Sequence, residues 1–262
     1  MNILHVSHHY KPCKGGMEKV IEELSKNLNE KGHSNTVLCL NKCHGGKKLA
    51  SRENYPEARV ERISFTDLKY YKIAPFGLGK MAKADVIHVH GLGFFSDFLA
   101  LTKLLHGKPL VLSTHGGIFH TENISALKKL YFFLSTRLVL KAFDKIIAVS
   151  KQDFEIFNKI VPAEKIVVIE NGVDVNKLGK FKGDASKNNF IFVGRLSKNK
   201  GLTDLLETFS IVKKKTKTKF TLKIVGGEFD LQKAGLEKKA AESGIKENVE
   251  LLGQVNENEL LN

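Results

Sequence analysis

Arg195 and Lys200 sit in the segment with the strongest chemical signal, Gly194-Arg195-Leu196-Ser197-Lys198-Asn199-Lys200-Gly201. The segment follows the apolar run Phe190-Ile191-Phe192-Val193 and precedes Leu202, Leu205, Leu206, Phe209 and Val212, which recur at helical spacing. A strand thus enters a glycine-started loop, and the loop feeds a helix. Free backbone N–H groups at a helix N-terminus attract anions, and the aligned peptide dipoles add to the pull. Arg195 offers a planar fork to phosphate oxygens and Lys200 a compact point charge. The loop reads as a grip for a diphosphate. A solvated basic strand-to-helix loop is the alternative.

Polar residues follow other apolar runs. Ser7, His8 and His9 come after Ile3-Leu4-His5-Val6, and Gly15-Gly16-Met17-Glu18 opens the next helical pattern. His90-Gly91 and Thr114-His115-Gly116-Gly117 end two further runs. In an open parallel sheet ligands sit beyond the carboxyl ends of the strands, so these residues are placed for binding. Gly15 and Gly16 let backbone approach a ligand closely. His88 and His90 share a strand face by period two, and His88 reads as a packed core histidine. His115 stands at a strand end with glycine behind it. A neutral histidine there can bond a substrate hydroxyl or polarise a reacting group, so a functional role is expected. A loop histidine capping nearby backbone is the other reading.

Cofactor signals are weak. A dinucleotide fingerprint needs three spaced glycines and an acidic residue ending the second strand, whereas that strand ends in Asn41-Lys42. Histidines gathered at one sheet end could bind metal, but carboxylate companions at ligand spacing are lacking. Cys39, Cys43 and His44 lack an evident fourth ligand. Neither a nicotinamide nor a metal is expected.

The chain has 262 residues and a net charge of +14 at pH 7. Such a charge suits nucleic acid, anionic membrane surfaces or phosphorylated ligands. The densest run, Lys213-Lys214-Lys215-Thr216-Lys217-Thr218-Lys219, closes a predicted helix, where cations complement the helix dipole. No nucleic-acid motif with stacking aromatics or zinc spacing accompanies the charge. Three cysteines, Cys13, Cys39 and Cys43, leave one unpaired in any disulfide scheme, which points to a reduced, cytoplasmic protein. No apolar run approaches the length of a membrane span, and no leader is expected.

Strands and helices alternate from the first residue. Strand-like runs lie at Ile3–Val6, Thr36–Leu40, Val60–Ile63, Val86–His90, Leu110–Ser113, Lys145–Val149 and Ile166–Ile169. Helical patterns cover Met17–Leu28 with Gly32 as its stop, Phe94–His106, Ile124–Phe143 and Gln152–Ile160. Short apolar strands spaced by helices imply a parallel sheet covered on both faces. Residues 1–175 are therefore expected to form a doubly wound α/β domain, 176–189 a polar linker and 190–262 a second βα series. The second series breaks off after three strands and leaves an apolar edge uncovered.

The ordered set Gly15-Gly16-Met17-Glu18, His88-Val89-His90-Gly91, Thr114-His115-Gly116, Ala148-Val149-Ser150, Asn171-Gly172-Val173-Asp174, Gly194-Arg195-Leu196 with Lys200-Gly201, and Ile224-Val225-Gly226-Gly227 resembles glycosyltransferase family 4. The resemblance implies the twin-Rossmann GT-B fold, with a complete N-terminal domain and a truncated C-terminal one. It also implies a retaining transferase that takes a sugar from a nucleotide-diphosphate donor to a glycan or lipid-linked acceptor. Arg195, Lys200, Gly194 and Gly16 would bind the nucleotide sugar, and His115 would act at the reacting centre. Gly15, Glu18 and His90 would line the acceptor side of the cleft. No Asp-X-Asp motif is present, which fits a fold that stabilises the leaving diphosphate with cations and helix N-termini and needs neither metal nor cofactor. Gly226-Gly227-Glu228-Phe229 stands where the family has a Gly-X-Gly-Pro-like turn, and the family's paired donor glutamates would fall beyond Asn262.

Other readings stay open. One is a non-catalytic remnant or subunit that binds an acceptor or partner; another is a basic nucleic-acid or membrane-surface protein. The pattern at Ile124–Phe143 mixes apolar residues with Lys128, Lys129, Arg137 and Lys141, so it suits either a core helix or contact with an anionic bilayer. Peripheral contact with the inner face of the cell membrane is the expectation for a lipid-linked acceptor.

Overall fold

The computed structural model describes residues 1–43, 46–68, 71–116, 136–175, 188–216, 219–256 and 259–260. The chain forms two compact units, Met1–Gly172 and Val173–Asn262. Residues 176–187 of the expected linker, and 124–135 of the expected helix Ile124–Phe143, lie outside the described residues; 136–141 are helical.

The first unit runs β1 (Asn2–Val6), α1 (Gly16–Glu30), β2 (Ser34–Leu40), β3 (Arg52–Asn54), β4 (Arg59–Ile63), the hairpin β5 (Thr66–Asp67) and β6 (Lys72–Ile73), β7 (Val86–His90), α2 (Phe94–Leu101), α3 (Lys103–His106), β8 (Leu110–Ser113), β9 (Lys145–Ala148), α4 (Lys151–Phe157) and β10 (Ile166–Val168). The main sheet has the order β10-β9-β8-β7-β1-β2-β4-β3. Its pairs are parallel except for β3, which lies antiparallel on β4. Strand order runs outward from β1 in both directions, so β1 and β7 flank the point where a doubly wound sheet takes its ligands.

Period two sorts the central strands. Leu38 and Leu40 on β2 join Leu4, Val6, Ile87 and Val89 in one apolar cluster, while Val37 and Cys39 turn to the other face and meet Ile21 of α1. Gly32 has a φ of 80°, which lets it follow α1 where the chain must reverse, and its N–H returns to the Asn29 carbonyl at 2.9 Å. The helical pattern Phe94–His106 is divided at Thr102, whose Oγ1 donates to the Phe98 carbonyl at 2.7 Å. Leu101, Leu104 and Leu105 are left exposed there.

The expectation of three reduced thiols is corrected. Cys13 and Cys43 are joined as a disulfide with their Cα atoms 5.5 Å apart, and Cys39 is buried and free. The loops after β1 and β2 leave the same edge of the sheet, which brings together residues far apart in sequence. Burial pushes the Cys39 thiol up to about 12, so it stays protonated. Among the described residues no helix is long and apolar enough to cross a membrane.

The second unit contains β11 (Asn189–Val193), α5 (Leu202–Lys215), β12 (Thr221–Val225), α6 (Lys233–Glu242) and β13 (Val249–Gly253), with the three strands parallel in chain order. Leu202, Leu206 and Phe209 of α5 pack on Leu222 and Ile224 of β12 with Leu236 and Ala240 of α6. β11 lies at the edge of this sheet, and Ile191 and Val193 on it are exposed.

Candidate functional site

In the first unit β1 and β7 pair so that His5 lies opposite His88. Leu4, Val6, Ile87 and Val89 take one face of the sheet, so alternation sends His5, His88 and His90 to the other. All three rings are buried, and a buried ring nitrogen must find a partner. His5 Nε2 lies 3.1 Å from Asn35 Oδ1 on β2, and His5 Nδ1 lies 3.1 Å from His90 Nε2. His90 Nδ1 lies 3.0 Å from His115 Nε2, while His88 Nε2 meets Ser113 Oγ at 2.8 Å. Burial lowers the proton affinity of all four rings. It takes His5 and His115 to about 4, against the opposing pull of Asp153 on His115, and holds His88 and His90 well below their ordinary value. The four histidines are neutral at neutral pH.

His115 has a φ of 47°, a left-handed conformation uncommon for a residue with a side chain, and Gly116 follows at 85°. Asp153 of α4 holds this turn. Its carboxylate accepts from Thr114 Oγ1, and it accepts the Gly116 N–H at 3.2 Å. Thr114 Oγ1 also accepts the Val149 N–H at 3.3 Å. Asp153 is placed in turn by Ser150, whose Oγ caps α4 by accepting the Asp153 N–H at 3.0 Å. Neither Asp153 nor His5 was a sequence candidate. The cap-and-acid spacing Ser150-Lys151-Gln152-Asp153 was the available signal for the first.

The loops after β1 and β7 pack against the start of α1. A Cβ on Gly91 would meet Met17 Cε at 3.2 Å, and one on Gly93 would meet His8 Cε1 at 3.0 Å. The Glu18 carboxylate folds back over Gly15, where a Cβ would overlap it, and so sets negative charge at the positive end of the helix dipole. Gly16 has open space where a side chain would stand. His90, expected to line the acceptor side directly, is 3% exposed with both nitrogens taken, so it touches His5 and His115 instead. Further along the same sheet edge, His9, Asn41, Lys42, Lys48, Ser64 and Lys72 help line a concavity of about 440 Å³.

In the second unit the carboxyl ends of β11 and β12 approach backbone to backbone. A Cβ on Gly226, whose φ is 154°, would overlap the Gly194 carbonyl. Glycine is required at this crossing. The Arg195 guanidinium lies over the Phe229 ring, 4.5 Å from its centroid, and the Lys198 N–H donates to Asp230 Oδ1 at 2.9 Å. Gly201, with a φ of 63°, ends the short turn Lys198–Lys200 and starts α5. Gly194, Arg195 and Lys200 thus lie in one loop between β11 and α5, with both cations exposed.

Residues 14–177 match the family model described as Glycosyltransferase Family 4, and residues 176–262 match Glycosyl transferases group 1. The chain belongs to glycosyltransferase family 4. It is 38% identical over 255 residues to a GDP-mannose:cellobiosyl-diphosphopolyprenol alpha-mannosyltransferase of Xanthomonas campestris, a match covering 96% of this chain and 67% of that protein. It is 27% identical over 262 residues to the mannosyltransferase of the same name from Komagataeibacter xylinus, covering 99% of this chain and 66% of that one. Among solved structures it is similar to HepE of Anabaena in complex with UDP and glucose, with TM-score 0.66, 19% identity and coverage of 98% of this chain and 70% of that one. The trehalose-6-phosphate synthase OtsA gives TM-score 0.70 at 12% identity, covering all of this chain and 75% of that one. At these identities the structures establish the fold alone, which is GT-B. The enzyme is a glycosyltransferase.

Two outcomes follow from the first unit. Asp153→Ala removes the acceptor shared by Thr114 and Gly116 and should destabilise the chain by about 1–3 kcal/mol in urea titration. An unchanged midpoint would show that the turn does not depend on Asp153. Acid should also destabilise the fold. Unfolded histidines titrate near 6.5 and folded His5 near 4, so between these values the unfolded chain binds more protons. Stability should fall as pH drops through that window, by roughly 3 kcal/mol for a residue shifted like His5. Urea midpoints across the window measure this, and His5→Gln should flatten the slope.

Proposed function

We propose that this glycosyltransferase moves a mannosyl group from GDP-mannose to a hydroxyl of a lipid-linked, diphosphate-borne glycan, with retention of anomeric configuration. The similarity to the mannosyltransferase of Xanthomonas campestris across 96% of the chain carries this reading. Arg195 and Lys200 bind the donor diphosphate together with the N–H groups at the start of α5, Gly194 lets the loop leave β11 without a side chain, and Gly16 leaves room for ligand beside α1. The bond between the anomeric carbon and the diphosphate oxygen breaks as the acceptor oxygen bonds to the same face of that carbon. The acceptor proton passes to the leaving diphosphate, whose developing charge the fixed cations stabilise. His115 contacts the donor sugar. No metal or cofactor takes part, and transfer proceeds in the presence of a chelator.

The concavity is lined by Lys42 and Lys48, with Lys72 paired to Asp67 at 3.0 Å, and its remaining positive charge suits the phosphorylated end of the acceptor. The exposed Leu101, Leu104 and Leu105, beside Lys103 and Lys108, suit contact with an anionic bilayer, which would hold the protein at the cytoplasmic face of the cell membrane.

A transfer assay with GDP-mannose or a UDP-hexose and a polyprenyl-diphosphate disaccharide tests the reaction. The expected product carries an α-mannosyl linkage by NMR, and preference for the UDP-sugar would remove the donor assignment. Arg195→Ala and Lys200→Ala should each weaken GDP binding roughly ten- to a hundredfold in calorimetric titration. If both variants bind as the parent does, the loop is not the diphosphate site.

A further inference from the structure

We propose that Asn35, His5 and His90 form a directional hydrogen-bond relay that fixes His115 in one tautomer, with hydrogen on Nε2 and a lone pair on Nδ1, so that His115 selects a sugar hydroxyl over a carboxylate. The sugar contact rests on the function proposed above; the relay does not.

The direction is set by main-chain carbonyls. Asn35 Nδ2 lies 3.0 Å from the Ser25 carbonyl of α1 and 2.7 Å from Asn29 Oδ1. Asn29 Nδ2 in turn lies 2.9 Å from the Glu57 carbonyl. A carbonyl only accepts, so both amides must point their NH₂ groups at these oxygens. Asn35 Oδ1 is then the atom facing His5 Nε2, and His5 must donate from Nε2. A neutral imidazole has one donor and one acceptor. His5 Nδ1 therefore accepts from His90 Nε2, and His90 Nδ1 accepts from His115 Nε2. The nitrogen that remains on His115 is Nδ1, and it can only accept.

The relay depends on neutrality, which burial supplies. The other titratable groups facing it are His88 and Asp153. His88 opposes a charge on His90, and it lies outside the relay because its Nε2 meets Ser113 Oγ, a hydroxyl that serves as donor or acceptor. Asp153 favours a charge on His115, but its carboxylate is bound to Thr114 and Gly116. His5, His88 and His90 also bring ring nitrogens within 4.8 Å of one another, a spacing that a metal ion accepts. In the relay the lone pairs of His5 Nδ1 and His90 Nδ1 are already occupied by hydrogen bonds.

His115→Asn, Lys or Gly would each change more than a tautomer, so the positioning residues are the ones to vary. The full chain, labelled with ¹⁵N in histidine, is examined by long-range ¹H–¹⁵N correlation at neutral pH, with assignments from single His→Gln variants. His5, His90 and His115 should each show a protonated Nε2 and an unprotonated Nδ1. Asn35→Leu removes the acceptor facing His5 Nε2 and should turn His115 into a tautomer mixture. If Asn35→Leu does not fold, the spectrum of the parent chain decides alone. A protonated Nδ1 on neutral His115, a cationic His115, or zinc that shifts the His5, His88 and His90 nitrogens would each overturn the relay. GDP-mannose should bind at least about tenfold more tightly than its mannuronate counterpart, because a carboxylate meets a lone pair with no hydrogen to share. Equal affinity with the tautomers intact would overturn the sugar contact and leave the relay standing.

Discussion

A ring nitrogen buried in a parallel sheet must be hydrogen-bonded, and at the seam of β1 and β7 that requirement organises the first unit. The sheet supplies no spare backbone groups there, because its N–H and C=O groups are spent on the strand ladder. His5, His90 and His115 therefore satisfy one another in series, with Asn35 closing the series onto α1. Strand register, the position of α1 over β2 and the reach of the turn after β8 all enter one set of hydrogen bonds. Asp153 holds the same turn from the side of α4. His115 is thus held from two directions, which is how a residue with a side chain persists at positive φ.

The second unit meets a different constraint. At the crossing of Gly194 and Gly226 the missing side chains let the ends of β11 and β12 meet backbone to backbone, with the Gly194 N–H donating to the Val225 carbonyl at 2.9 Å. Arg195 is steadied by the face of Phe229, and among the described residues it has no carboxylate in salt-bridge contact. A ring face holds the guanidinium plane without using its N–H donors, which stay available to an anion. Asp230, by contrast, takes the Lys198 N–H, so part of the N-terminal donor set of the loop is already engaged.

Much of this was visible in the residue pattern. The spacing of His88 and His90 placed both on one face, and the glycine-started loop after Val193 placed Arg195 and Lys200 between a strand and a helix. The involvement of His5 was hidden because it depends on which strand lies beside β1, a pairing between residues some eighty positions apart. The disulfide was hidden for the same reason. β3 escaped notice because Arg52-Glu53-Asn54 is polar and exposed, so it lacks the apolar alternation by which a strand is read. The break at Thr102 depends on one side-chain bond to the Phe98 carbonyl, which periodicity does not register.

The two candidate sites differ in how much precision their chemistry requires, and the structure follows that difference. A cation attracts a diphosphate over several ångströms and from many orientations, with screening reaching about 8 Å in physiological salt. Exposed side chains such as Arg195 and Lys200, the proposed diphosphate ligands, are adequate to that task. A neutral histidine acts only through a directed hydrogen bond, which weakens steeply when it is bent or when donor and acceptor are exchanged. His115 accordingly sits behind two buried histidines and an asparagine, on a turn fastened by a capped aspartate. Similarity to GT-B enzymes at 11–20% identity fixes the arrangement of strands and helices but leaves such details open. The direction of a hydrogen bond at His115 comes from carbonyl groups on α1 and after β3, more than one side chain removed from any ligand.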